Sequence, residues 1–194
     1  VQYRGHHQQL QSCIENTKNI TIDSCDFSIP KIVVSIGESY IKSHSKLYGY
    51  KSNTCPYQMS NRERMYLFND VTTPVAITSE AFKNFLSTAS VQDSWETGCL
   101  FPAIFNKAGY NVVLYSNQFA RSKYSDGAIF INHPDVDSMC FNIRNEHLYQ
   151  DDARLLDDFM MNLPQIEKRH NFVMIHLNGQ HNPYNIRYPE SATY

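Results

Sequence analysis

No stretch of this 194-residue chain approaches the roughly 20 consecutive apolar positions of a membrane-spanning helix, so none is expected within it. Positive charge is not in excess either. Seventeen Lys and Arg stand against nineteen Asp and Glu, a formal net charge of -2, and the cations are scattered. A phosphate backbone demands a basic face, so nucleic acid is excluded as a partner. Cysteines are few and far apart (Cys13, Cys25, Cys55, Cys99, Cys140), and no close CxxC pair marks a structural zinc site. Their odd number fits an exported protein that pairs four and leaves one, and equally a cytosolic one that keeps all five reduced and buried. A signal peptide is missing from the start: Val1 to Gln11 is polar and carries His6 and His7, so the chain reads as an excised piece. Internal repeats and low-complexity segments are lacking too.

What is present suits one α/β domain with a sizeable core, since 42% of residues are hydrophobic and 13% aromatic. Residues 1–30 are polar, end at Pro30, and read as a lead-in or linker with at most a short helix. Residues 31–194 read as the domain proper. KIVVSIG at 31–37 has the pattern of a strand buried on both faces of a parallel sheet. NVVLYS at 111–116 and NFVMIHL at 171–177 look alike, and each follows a helical pattern, as βαβ units require. The first helix is expected over Ser79 to Ser90, capped by Thr78 or Ser79, with Phe82, Phe85, Leu86 and Ala89 as one stripe. A second runs from Phe101 to Ala108, with Pro102 in its first turn and Gly109 as terminator. A third lies between Asp151 and Pro164, with Leu155, Leu156, Phe159, Met160 and Leu163 as its apolar face. The expected class is α/β, with a mostly parallel sheet flanked by helices.

In open α/β sheets ligands gather beyond the carboxyl ends of the strands, so the residues after each apolar run carry the functional signal. Gly37-Glu38-Ser39 puts a carboxylate at the first strand's tip, with a glycine that allows a tight turn. Glu38 there reads as a metal ligand or as the cap of a following helix. Thr78-Ser79-Glu80 opens an amphipathic helix. A hydroxyl there meets unpaired N–H groups and a positive dipole, which suits a phosphorylated side chain as well as an ordinary N-cap. After the last strand come His176 and His181, five apart around Gly179, and an imidazole at a strand tip suits zinc or phosphate. The other histidines (His6, His7, His44, His133, His147, His170) have no such setting.

Together these segments resemble the catalytic domain of the phosphoethanolamine transferases, a branch of the alkaline phosphatase and sulfatase superfamily. IVVSIGESYIKSHSKLYGYKSNTCP at 32–56 resembles that family's opening signature, and FNDVTTPVAITSEAF its nucleophile segment. AGYNVVLYSNQ is similar to its next helix–strand connection, and HLNGQHNPYNIRYP to its His-Gly-x-His-x-Pro-Tyr and Arg-Tyr-Pro segment. The resemblance implies an alkaline-phosphatase-like fold, incomplete at its C-terminus, and an enzyme that moves phosphoethanolamine from phosphatidylethanolamine to lipid A or an envelope glycan. It implies that Glu38 and Thr78 bind Zn2+, that Thr78 takes the phosphoryl group covalently, and that His181, Asn117 and Gln118 bind substrate, with His181 on the transferred phosphate or a second metal. Glu38, Thr78 and His181 are then expected to gather at one edge of the sheet, with the Thr78 hydroxyl turned toward Glu38. It also implies a bacterial inner-membrane enzyme whose catalytic domain faces the periplasm, anchored by a region outside this chain.

Three features depart from that pattern. The family's Asp-His-Gly segment, which supplies two zinc ligands, follows the Arg-Tyr-Pro stretch, whereas this chain stops at Tyr194; as it stands the piece is expected to be inactive. The membrane-spanning region that precedes the domain is absent from the sequence. The nucleophile loop carries Pro74 without a flanking cysteine pair. The C/S-x-P-x-R setting that a sulfatase needs is also missing around Thr78, which argues against sulfate-ester hydrolysis. Two other readings stay open: glycerol phosphate transfer of the lipoteichoic acid synthase type, since those enzymes also use threonine followed by Ser and an acid, and an inactive envelope-binding domain.

Overall fold

The three β-branched runs form strands: β2 (Asn111–Ser116) has its expected bounds, and β1 (Lys31–Ile36) and β4 (Asn171–His176) each end one residue earlier than expected. The computed structural model describes residues 2–73, 75–90, 92–117, 138–141, 151–167 and 170–187. Within them a fourth strand, β3 (Ser138–Phe141), was not anticipated. The order is β1-β4-β2-β3 and every pairing is parallel. Ile36 and Ser116 both align with His176, so three strands end at one level.

Side chains alternate across a strand, so β2 and β4 each feed two cores. Val112, Leu114, Phe172 and Met174 meet α3 (Thr78–Phe85) through Phe82 and the following Leu86, and α4 (Phe101–Lys107) through Phe105. Val113, Tyr115, Val173 and Ile175 meet α5 (Asp152–Ile166) through Leu155, Phe159 and Ile166. Each fully buried side chain of this size contributes about 1.5–3 kcal/mol. β1 corrects the expectation of a strand buried on both faces. Ile32, Val34 and Ile36 pack beside the first core, but Val33 is 54% exposed, because β1 is an edge strand and α5 covers the neighbouring strands instead.

The helices differ from expectation in detail. α3 stops at Phe85 rather than near Ser90, because the Leu86 carbonyl accepts from Phe101 N and Ser87 pairs with Leu100 in an isolated bridge. Phe82 and Leu86 are buried while Phe85 is exposed. α4 ends as expected at Gly109, whose φ of +97° is cheap only for glycine. α5 continues through Pro164, which lacks the N–H that would bond the carbonyl four residues back, and buries Ile166 beyond it. Leu156 and Met160 lie exposed on its outer side. The lead-in forms a longer helix than expected, α1 (Gln2–Lys18), whose Cys13 and Ile14 pack on Leu100 and Ala103. Buried Thr17 ties it down by donating to Cys13 O and accepting from Leu100 N.

Candidate active site

Parallel pairing puts the tips of β1, β2 and β4 side by side, and each tip continues into residues with polar work to do. Beyond β1 the chain turns at Ser39, which takes a φ of +54°; the left-handed residue is therefore Ser39 and not Gly37. This turn holds the Glu38 carboxylate inward at 6% exposure. A carboxylate so buried needs partners, and both oxygens have one. Thr78 Oγ1 donates to Oε2 at 3.0 Å, and His176 Nε2 meets Oε1 at 3.0 Å. His176, the last residue of β4, is buried, with the ring of Phe82 4.8 Å from its own and Ser116 Oγ 3.5 Å from Nδ1.

Thr78 is the first residue of α3. The N-cap position falls on Ile77, which makes no side-chain cap bond, so neither Thr78 nor Ser79 occupies it as expected. The Thr78 hydroxyl is thus turned across the sheet edge to a residue forty positions earlier. Glu80, two residues on, pairs with the buried Lys83 at 2.7 Å.

The loop after β4 closes over Glu38. Gln180 N donates to the Glu38 carbonyl at 3.1 Å, and Gly179, at φ +52°, lies so near that a Cβ there would stand 2.8 Å from Glu38 N and 2.9 Å from Glu38 O. Asp152, on the first turn of α5, fastens the other side: Oδ1 accepts from Asn178 N at 2.8 Å and from Asn117 Nδ2 at 2.5 Å, and Oδ2 from Gly179 N at 2.8 Å. Asp151, just before it, caps the helix by accepting from Ala153 N. Asn117 is fully buried, and its amide is directed to Asp152. His181 is exposed on the same loop; its Nδ1 meets the Asn182 carbonyl at 2.7 Å. A carbonyl only accepts, so Nδ1 carries hydrogen and a neutral imidazole keeps its lone pair on Nε2. Gln118 lies outside the described residues.

Glu38, Thr78 and the backbone of the His181 loop therefore meet at one edge of the sheet. His176 and Asp152 complete the arrangement and were not among the predicted site residues. His176 was visible only as one of two strand-tip histidines, and Asp152 only as an acid at a helix start. As a metal site the arrangement is partial. A carboxylate and a hydroxyl are donors of a kind zinc accepts and fit two positions of a tetrahedral set. Among the described residues no group of three or more His, Cys, Asp or Glu stands ready for a metal ion. Nor, among them, is any helix long and apolar enough to cross a membrane.

The profile of a family described as Sulfatase matches residues 30–194. Among characterised proteins, the chain is 24% identical over 188 residues to YhbX of Escherichia coli (strain K12), named only in general terms as a transferase. That alignment spans 96% of this chain and 34% of YhbX. It is 26% identical over 168 residues to the phosphoethanolamine transferase EptC of the same organism, across 82% of this chain and 29% of EptC. The chain thus spans about a third of the length of the curated relatives it matches. The crystal structure of the C-terminal periplasmic domain of Escherichia coli EptC in complex with Zn superposes with a TM-score of 0.71. It has 23% identity and covers 83% of this chain and 46% of that one. The soluble domain of lipooligosaccharide phosphoethanolamine transferase A from Neisseria meningitidis gives 0.62 at 17% identity, over 90% and 53%. At such identities these structures establish the alkaline-phosphatase-like α/β fold and no more.

Proposed function

The chain belongs to the sulfatase family, and from that premise we propose that it is the nucleophile-bearing part of an enzyme that transfers phosphoethanolamine from a phospholipid to lipid A or an envelope glycan. The observation that carries this is the bond from Thr78 Oγ1 to a buried Glu38 that is held from its other side by His176. An ordinary capping threonine turns its oxygen to an N–H two or three residues ahead in its own helix. Here the oxygen is presented at the end of the sheet, beside the first N–H groups of α3. The names of the relatives favour phosphoethanolamine over glycerol phosphate as the transferred group.

Glu38 and Thr78 would hold the zinc ion. The chemistry zinc supplies there is Lewis acidity, which draws charge from a phosphoryl oxygen and favours the ionised threonine hydroxyl. The remaining work falls to the chain's own residues. His176 fixes one carboxylate oxygen of Glu38 and so sets the direction of the other. The Thr78 hydroxyl proton lies on a hydrogen bond to Glu38, the acceptor at hand when Oγ1 attacks phosphorus. The new O–P bond forms as the bond from phosphorus to the glycerol oxygen breaks, and the diacylglycerol leaves with a proton. An acceptor hydroxyl then attacks the same phosphorus, gives up its proton, and releases Thr78 as a hydroxyl again. His181, exposed on the loop over Glu38, binds an oxygen of the transferred phosphate, and Gln118 binds substrate, while the buried Asn117 acts from behind by holding Asp152. The parent enzyme sits in a bacterial inner membrane with this domain in the periplasm, and residues 31–194 form the first part of its catalytic domain.

The test is turnover of a lipid donor by the full-length protein, with mass spectrometry for a phosphoethanolamine adduct on Thr78. An adduct on another residue, or turnover by a Thr78→Ala protein, removes the mechanism.

A further inference from the structure

The segment between Glu38 and Thr78 exposes more apolar surface than a protein in water ordinarily leaves open. Tyr66 is 86% exposed, Phe68 64%, and Ile77, the residue before Thr78, 64%; Tyr57 and Val71 are exposed as well. These are not isolated side chains. The Tyr66 and Phe68 rings touch at 5.2 Å. Tyr48 Oη donates to Phe68 O at 3.1 Å, the Lys42 ammonium donates to Asn69 O, and that ammonium also lies 5.2 Å over the Tyr48 ring. α2 (Pro56–Ser60), which carries Tyr57, packs against the turn at 46–48.

Charge in this segment runs opposite to the rest. Residues 39–77 hold five Lys and Arg (Lys42, Lys46, Lys51, Arg62, Arg64) against Glu63 and Asp70, a balance of +3, so in a chain of net -2 the other residues sum to -5. A face meant for another protein would be depleted of lysine, and three of the five cations here are Lys42, Lys46 and Lys51. Tyrosine and methionine interleaved with Lys and Arg suit instead the boundary of a bilayer, where rings sit among headgroups and cations meet anionic lipid.

We propose that residues 40–77 are a membrane-docking face, whose exposed rings enter the headgroup layer and whose Lys and Arg side chains hold anionic lipid, with Thr78 at its border. The positive balance of this segment, against the negative sum of the rest, turns it toward an anionic surface. Docking deepens the reading of the site as one that acts on a phospholipid, but it does not depend on Thr78 chemistry.

The experiment is co-sedimentation of the full 194-residue chain with phosphatidylethanolamine vesicles containing a minor fraction of phosphatidylglycerol, against phosphatidylcholine vesicles. Binding to the anionic vesicles is expected, with loss on raising salt from about 0.1 M to about 1 M. Lys51→Gln and Arg64→Gln, both at exposed positions, should each weaken it about fivefold and together about 25-fold. Tyr66→Ser with Phe68→Ser should abolish it while circular dichroism shows an unchanged fold. No sedimentation of the wild type, or equal sedimentation of the serine variant, overturns the proposal. So does self-association in the ultracentrifuge that these serines abolish without any vesicle binding, which would give the face to a second copy. Thr78→Ala should bind vesicles like the wild type. Docking without turnover in the full-length protein would therefore sink only the enzymatic reading, and turnover without docking only this one.

Discussion

Replacing Thr78 by valine keeps its shape and β-branch and removes only the oxygen, which separates the Glu38 bond from every other property of the position. Valine and threonine differ little in helix propensity, so α3 itself should not notice. No cap is lost, because the N-cap is Ile77 and makes no side-chain bond. What is lost is a 3.0 Å bond to a carboxylate that is 6% exposed. Hydrogen bonds to charged groups are worth about 1.5–3 kcal/mol, and the partial exposure of Thr78 argues for the lower end, about 1.5 kcal/mol. For a domain of this size that lowers the melting temperature by about 3–6 °C. Thr78→Ser keeps the oxygen and should recover most of it. The assay is urea and thermal unfolding of the 194-residue chain, paired with lipid turnover in the full-length protein, where the valine variant should lose several orders of magnitude. A valine variant as stable as wild type would mean that the Thr78–Glu38 bond is not made in solution. One that still turns over lipid would mean that Thr78 is not the nucleophile.

Gly179→Ala should destabilise by about 1–3 kcal/mol and displace the loop over Glu38, since its Cβ would meet Glu38 backbone atoms at 2.8 and 2.9 Å; a urea titration that leaves the midpoint unmoved would contradict this close approach. Asp152→Ala removes the acceptor of three bonds and should cost about 2–3 kcal/mol, with faster amide exchange at Asn178 and Gly179 as the distinguishing signal; exchange at wild-type rates refutes it. Burial, and then the neighbouring Cys99, push the Cys13 thiol up to about 12 from 9.0. The unfolded chain therefore ionises this thiol first, so its contribution to stability is whole below pH 9 and drains away as pH rises through about 12. Iodoacetamide at pH 8 should leave Cys13 unmodified until the chain unfolds, and alkylation of the folded chain at the rate of an exposed thiol would count against the packing of α1.

Much of the fold was legible because its signals are local. Continuous β-branched runs bounded by glycine and polar residues gave β1, β2 and β4 their bounds to within one residue, and Pro102 and Gly109 framed α4. β3, with Ser-Met-Cys-Phe, is too short and mixed to show a period. The end of α3 depends on a pairing with residues 98–100 that no local pattern encodes, and α1 takes its place from Thr17 and Cys13 meeting a segment some eighty residues away. For the site, the positions of Glu38 after a strand and of Thr78 at a helix start fitted ordinary caps as well, and only the resemblance to the phosphoethanolamine transferases set them apart. His176 was harder to choose than His181, because two histidines on one strand tip look equivalent until one is buried and the other is not.

By itself the sequence determined the class and the parallel strands, because periodicity, turn residues and strand ends are written within a few positions of one another. Only the tertiary structure decided that β1 lies at an edge with one face open, since burial depends on which helix reaches over a strand. It also decided that Glu38 spends both its oxygens on residues 40 and 138 positions away, a choice made by the register that sets Ile36, Ser116 and His176 at one level. Hydrogen bonds of such long range are set by strand pairing, which no stretch of chain specifies alone.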